Sequence, residues 1–248
     1  MAWNARRALI GLALTGLLAA AAFPFAIYSI GLAIGPPRPI PAPQAVPPLL
    51  ADAIWARASG GRATELTPIT PLSVLRLAAC VANEDFWDTT PGDARRVAAC
   101  RGHMPALEGL EYFANVHMRD ADHTPGFRTG LSRFSTSVWV THAWTKTEFL
   151  SALAERAEFS IGVRGVDHAA RALFDRSASE LSLPQAALTA AMIGERRVDP
   201  WCSPEAAASM RRRVLDRMLE DGAIDEAAYQ SANMAELGLT PTHTPCEG

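Results

Sequence analysis

The sequence has 248 residues, 49% of them hydrophobic and 20% charged, with a formal net charge of −3. That balance lacks the strongly basic footprint of a nucleic-acid binder, and the apolar content is too high for a generally disordered chain. The 17 glycines and 18 prolines follow no period, which excludes collagen-like and low-complexity classes.

The first element is an uncharged run from Ala8 to Gly35, preceded by Arg6 and Arg7 and followed closely only by Arg38. About 20 apolar residues suffice to cross a bilayer as a helix, so residues 1–35 read as a single-pass N-terminal anchor. The positive-inside rule puts the N-terminus in the cytoplasm and the rest in the periplasm or exterior. A cleaved signal peptide is the competing reading, with Ala19 to Ala22 as its cleavage region. The apolar run continues through Phe25, Ile27, Tyr28, Ile30 and Leu32, which is long for a signal core. Proline-rich residues 36–48 read as a stiff, extended linker. Residues 49–248 are then one domain, long enough to bury its own core.

Helix starts punctuate that domain. Thr70-Pro71 opens an apolar helix running towards Val81. Residues 86–130 read as loops around one short helix, Leu107 to Met118. His117, Asp120, Asp122 and His123 match no metal-ligand spacing, and a solvated polar loop is the expectation. Thr145 and Glu148 form a capping box, as do Ser182 and Gln185. Ser203-Pro204-Glu205 opens a helix with Met210, Val214, Leu215, Met218 and Leu219 on one face, stopped by Gly222. Asp225 starts a short helix through Tyr229. Alternating strand patterns are nearly absent, so the fold class is mainly α.

Four cysteines, Cys80, Cys100, Cys202 and Cys246, suit two disulfides in an exported domain and permit three pairings; four free thiols are the alternative. Short separation favours Cys80 with Cys100 and Cys202 with Cys246. The run Val81-Ala82-Asn83-Glu84-Asp85-Phe86-Trp87 sets a carboxylate beside aromatics, where its pKa can rise and fit it for proton transfer. Phe86, Trp87, Trp139 and Trp144 are expected to serve core packing.

Three further runs extend this pattern: Thr145-Lys146-Thr147-Glu148-Phe149-Leu150, then Gly162 to Phe174 with Ala169-Ala170, then Glu180-Leu181-Ser182-Leu183-Pro184-Gln185-Ala186-Ala187-Leu188. Arg211-Arg212-Arg213-Val214-Leu215-Asp216-Arg217-Met218 follows, with Gly222-Ala223-Ile224. Together they resemble the peptidoglycan glycosyltransferase domain of class A penicillin-binding proteins and monofunctional transglycosylases, whose pattern runs approximately SKxxIL, GxxGxxAAxxYF, eLtLxEaAlLA and RxxVLxxM. The resemblance covers residues 145–232 and extends more faintly to 75–87.

The resemblance implies a lysozyme-like α fold behind one transmembrane helix, in the inner (cytoplasmic) membrane. It implies polymerisation of the lipid-linked disaccharide-peptide, lipid II, into glycan strands with release of lipid diphosphate. Glu84 falls on the family's first glutamate, the base that deprotonates the acceptor sugar hydroxyl. Lys146 and Arg211 fall on cationic positions suited to the departing diphosphate, for which a divalent metal is the other source of charge. Ser132 keeps the G-x-S of the donor-site loop within Gly130-Leu131-Ser132. Lipid II, nascent glycan, the membrane and cell-wall synthases are the implied partners, and nucleic acid is not. No transpeptidase domain is expected after Gly248.

The sequence departs from the family after Glu84-Asp85, where Phe86 follows at once, and at the donor loop GxSTITQQ, which is missing as such. If residues 131–144 are the family's RKxxE helix, Arg133 stands where the second glutamate belongs; if they are the G-x-S loop, that helix is deleted. Leu153-Ala154-Glu155 stands at the family's YxN. These departures leave a non-catalytic relative that binds glycan, lipid II or a synthase partner as the alternative. A lytic muramidase of similar fold is a third reading.

Overall fold

The computed structural model describes residues 15–16, 21–59, 65–73, 106–240 and 246. Residues 21–34 form helix α1. Then come α2 (Pro48–Ser59), α3 (Leu107–Asp120), α4 (Phe127–Ala143), α5 (Lys146–Arg156), α6 (Val166–Phe174), α7 (Leu183–Ala191), α8 (Pro204–Glu220) and α9 (Glu226–Met234). A 3-10 turn at Ala178–Glu180 precedes α7. Among the described residues there is no strand, only an isolated antiparallel bridge between Glu158 and Arg164. The expected mainly α class holds.

Several starts follow their sequence signals. The Thr145 hydroxyl accepts from Glu148 N at 3.2 Å, and Glu148 Oε2 accepts from Thr145 N at 2.7 Å. Ser182 and Gln185 close the second box, with Pro184 in the first turn of α7. Ser203 precedes α8 without a side-chain cap bond. Gly222, at φ +71, follows the end of α8 where a left-handed residue is needed. Asp225 caps α9, which runs on to Met234 rather than ending near Tyr229. The Thr70-Pro71 start is present as a turn in which Ser73 N donates to Thr70 O at 2.8 Å. The helix expected beyond Ser73 lies outside the described residues.

The region from 106 to 130 departs from the expected loops. Besides α3 it contains the beginning of α4, a 17-residue helix. Its sequence, FRTGLSRFSTSVWVTHA, is rich in Ser, Thr and Val, which lower helix propensity by side-chain entropy and competing hydrogen bonds. Burial offsets that weakness: Ser132, Ser135, Thr136, Ser137, Val138, Val140 and Thr141 are all buried.

The chain divides into two compact units: Met1–Arg38 with Pro68–Met104 and His117–His142, and Pro39–Thr67 with Pro105–Val116 and Ala143–Gly248. In the first, α1 lies against α4 through small residues. A Cβ on Gly31 would meet Ser135 Oγ, and it would stand 2.6 Å from Leu131 O. Ser132 Oγ donates to Gly31 O at 2.9 Å. His142 Nε2 donates to Ile69 O at 3.0 Å, Ile69 N donates to Thr141 Oγ1 at 3.0 Å, and His117 Nε2 donates to Pro37 O at 2.9 Å. No described helix is long and apolar enough to cross a membrane. Of the expected anchor, residues 8–14 and 17–20 lie outside the described residues.

In the second unit α7 is the central helix, with Ala186 to Ala191 buried and contacts to both α8 and α2. Phe113 stacks edge-on against Trp144 at 5.5 Å and Phe149 at 6.1 Å. Trp144 is therefore core, as expected. A Cβ at Gly109 would come within 2.5 Å of Ala58 Cβ, so glycine sets how closely α3 approaches α2. Residues from Pro39 to Pro47 belong to this unit, with Pro39 buried. The C-terminal segment is pinned down by Thr240, whose N donates to Leu173 O at 2.8 Å and whose carbonyl accepts from Trp201 Nε1 at 2.7 Å. Cys202 is bonded to Cys246, 44 residues on, in the expected pairing. Cys80 and Cys100 lie outside the described residues.

Candidate active site

Lys146 is the first residue of α5, set there by the Thr145–Glu148 box. Its Nζ lies 4.5 Å from the centroid of Trp55, a buried α2 residue. A cation over an indole face is held by the ring quadrupole, and the contact fixes the ammonium's position. Lys146 also acts electrostatically on Asp221, which follows the end of α8. Burial pushes the Asp221 carboxyl above its ordinary value, Glu220 adds to the push, and Lys146 and Arg217 oppose it.

Arg217 Nη1 donates to Arg57 O at 3.1 Å, and Arg57 pairs with Glu108. Arg57, Arg213 and Arg217 line a cavity of about 160 Å³ together with Glu108, Glu195 and Met210. Three guanidiniums against two carboxylates leave a small positive excess, and guanidinium forks match the oxygens of phosphate groups. Arg57 and Glu108 were not legible as partners in the sequence, because 51 residues separate them.

Arg211 has a different place. It is 4% exposed, on the inner face of α8 with Ala207, Val214, Leu215 and Met218. Its Nη1 donates to Glu236 O at 3.2 Å and its Nη2 to Asn233 O at 3.1 Å. A cation on the last carbonyls of a helix satisfies orphan acceptors and opposes the helix dipole. Burial, then the neighbouring Arg212, lowers its pKa. The guanidinium therefore faces α9 and clamps it. The 207, 211, 214, 215, 218 spacing was the available signal, since it puts Arg211 on the apolar stripe.

Ser132 sits in the first unit, 1% exposed, with its hydroxyl committed to Gly31 O. Its surroundings are helical rather than loop, since residues 127–143 are one helix. Glu84 lies outside the described residues. Among the described residues no group of three or more His, Cys, Asp or Glu side chains could hold a metal ion.

The comparisons bear on this set. Residues 117–219 match the family model described as Transglycosylase. Over that stretch the chain is transglycosylase-like. It is 34% identical over 117 residues to penicillin-binding protein 2a of Streptococcus pneumoniae serotype 2, covering 46% of this chain and 16% of that protein. It is 35% identical over 85 residues to penicillin-binding protein 1A of Mycolicibacterium smegmatis, covering 34% and 11% respectively. With penicillin-binding protein 1A of Aquifex aeolicus the identity is 32% over 97 residues, covering 39% and 13%. The chain thus spans a small part of the length of these relatives. The transglycosylase match takes in Lys146, Arg211, Arg213 and Arg217, and it begins beyond Glu84.

Proposed function

We propose that this chain is a membrane-anchored peptidoglycan glycosyltransferase that joins lipid II units into glycan strands. The observation that carries the reading is the transglycosylase match over residues 117–219. In the proposed step, Glu84 takes the proton from the acceptor hydroxyl, whose oxygen bonds to the donor's anomeric carbon as the bond to the diphosphate breaks. The leaving diphosphate keeps the electron pair and needs fixed positive charge. Lys146, held on Trp55, and the Arg57, Arg213 and Arg217 cavity are suited to supply it. Arg211 instead holds α9 through the Asn233 and Glu236 carbonyls. Residues 8–35 are the proposed anchor; exposed Phe23, Phe25 and Ile30 in the α1 region suit lipid contact. The domain then faces the periplasm or exterior, where cell-wall synthases are the proposed protein partners.

One observation favours a second reading. Residues 127–143 form a helix with no acidic side chain, which supports the reading that the family's second glutamate is missing, so a non-catalytic relative would keep the fold and bind glycan, lipid II or a synthase. Turnover of labelled lipid II by the purified full chain in detergent separates the two. Polymer supports the first reading, binding without turnover supports the second, and cleavage of finished sacculi would replace both with a lytic function.

A further inference from the structure

Among the residues lining the arginine cavity, Glu108 has the wrong sign for an anion site. It stands in the first turn of α3, and Arg57, with which it pairs, stands in the last turn of α2. Each charge suits the dipole of its own helix end. The neighbouring positions fix where the pair forms. A Cβ on Gly109 would come within 2.5 Å of Ala58 Cβ, so the two helices touch one residue beyond each member of the pair. Arg57 is engaged a second time, because its carbonyl accepts from Arg217 Nη1 at 3.1 Å.

Docking of α3 on α2 does not explain the pair. The two side chains are 32% and 50% exposed, and an ion pair open to water to that degree contributes little to stability. The Gly109–Ala58 contact, with Phe149 3.4 Å from the same Cβ position, already sets the approach. What the pair does change is the charge available in the cavity. Glu108 cancels Arg57. Glu195, the other carboxylate there, accepts from Arg197 N at 2.8 Å and is committed to its own turn. Arg213, which is exposed, and Arg217 stand four residues apart on α8 and supply the remaining guanidinium charge.

Carboxylate and phosphate oxygens bind the same guanidinium fork, so they compete for Arg57. Such competition suits a ligand that has to leave in every cycle. Three guanidiniums with no carboxylate among them would retain a diphosphate product and slow turnover at the release step. We propose that Glu108 is a built-in competitor for Arg57, which weakens the cavity's hold on a diphosphate and speeds its release. Glu108 acts through Arg57 and is a positioning residue of the site. This role rests on the diphosphate reading of the cavity and adds control of release to it. Both members of the pair precede residue 117, where the transglycosylase match begins, so that match assigns them nothing.

The test titrates the full chain in detergent with inorganic diphosphate by calorimetry, comparing wild type with Glu108→Gln. Glutamine keeps the length of the side chain and removes its charge. The expected result is several-fold tighter binding by the variant, the direction opposite to that of structural damage. Glu108→Asp, which keeps the charge, should bind close to the wild-type affinity. In an Arg57→Gln background, Glu108→Gln should no longer tighten binding, because its effect passes through Arg57. With labelled lipid II, added diphosphate should inhibit Glu108→Gln at a several-fold lower concentration than wild type. Far-ultraviolet dichroism checks the fold of each variant. Unchanged or weaker diphosphate binding by folded Glu108→Gln, tightening that persists without Arg57, or no saturable binding by any of the proteins would each overturn the role of Glu108. Polymer formation alongside any of those results would keep the glycosyltransferase reading. Tightened binding through Arg57 without polymerisation by wild type would keep the competition and remove that reading.

Discussion

Arg211 shows how one side chain's environment decides its job. A cationic residue on a family motif suggests diphosphate contact, yet the apolar stripe of α8 carries it inward to the carbonyls at the end of α9. Replacing it with Met keeps much of the volume and removes both bonds. The expected cost is about 1–3 kcal/mol of unfolding free energy, because two charge-assisted bonds from a buried guanidinium to part-buried carbonyls are lost together. Urea unfolding followed by circular dichroism measures it, and an unchanged midpoint would show that the clamp contributes nothing. Gly31 makes the opposite case, where the absence of a side chain matters. Gly31→Ala drives a Cβ into Ser135 Oγ and towards Leu131 O, so thermal unfolding should move to lower temperature. An enlarged residue tolerated at full stability would contradict the close approach of α1 to α4.

At the scale of elements, caps were the legible part of the sequence and α4 was not. Thr145 with Glu148 and Ser182 with Gln185 announce their helices because a hydroxyl followed three residues later by a carboxylate or amide satisfies two orphan donors locally. In α4 the hydroxyls bond within the helix instead: Ser137 Oγ donates to Arg133 O at 3.1 Å and Thr141 Oγ1 to Val138 O at 2.8 Å. Such back-bonding is invisible in a propensity pattern, and only tertiary burial makes the helix. The α5 cap yields a prediction with a sign. Hydrogen bonds from the Thr145 backbone and then its side chain hold the Glu148 carboxyl below its ordinary value. A depressed folded pKa contributes stability that is present above the unfolded value and is lost as pH falls through the folded one. Thr145→Ala should cost about 1 kcal/mol near neutrality and flatten the acid limb of the stability profile. Equal acid limbs in the two proteins would sink this assignment.

Across the whole molecule, the sequence and the structure agree on a helical chain. They also agree on the Cys202–Cys246 bond, which the short separation favoured. The candidate site was less legible. Lys146 could be read from its motif, but its platform Trp55 and the Arg57–Glu108 pair come from far along the chain, and no local spacing encodes them. The disulfide carries its own expectation. Closing a loop of 44 residues restricts the unfolded chain, so the double variant Cys202→Ser with Cys246→Ser should lose about 2–4 kcal/mol. Calorimetry on both proteins under non-reducing conditions measures that loss, and identical transitions would show that the bond merely tethers the terminus. The central claim concerns chemistry, and a paired assay tests it most directly. Wild type and Glu84→Gln are given labelled lipid II in detergent, and glycan length is read on a gel. The account predicts polymer from wild type and a rate lower by a factor on the order of a hundred or more in the variant, since Gln keeps the shape but removes the base. Equal polymerisation by the two proteins, or none by a folded wild type at saturating lipid II, would contradict it.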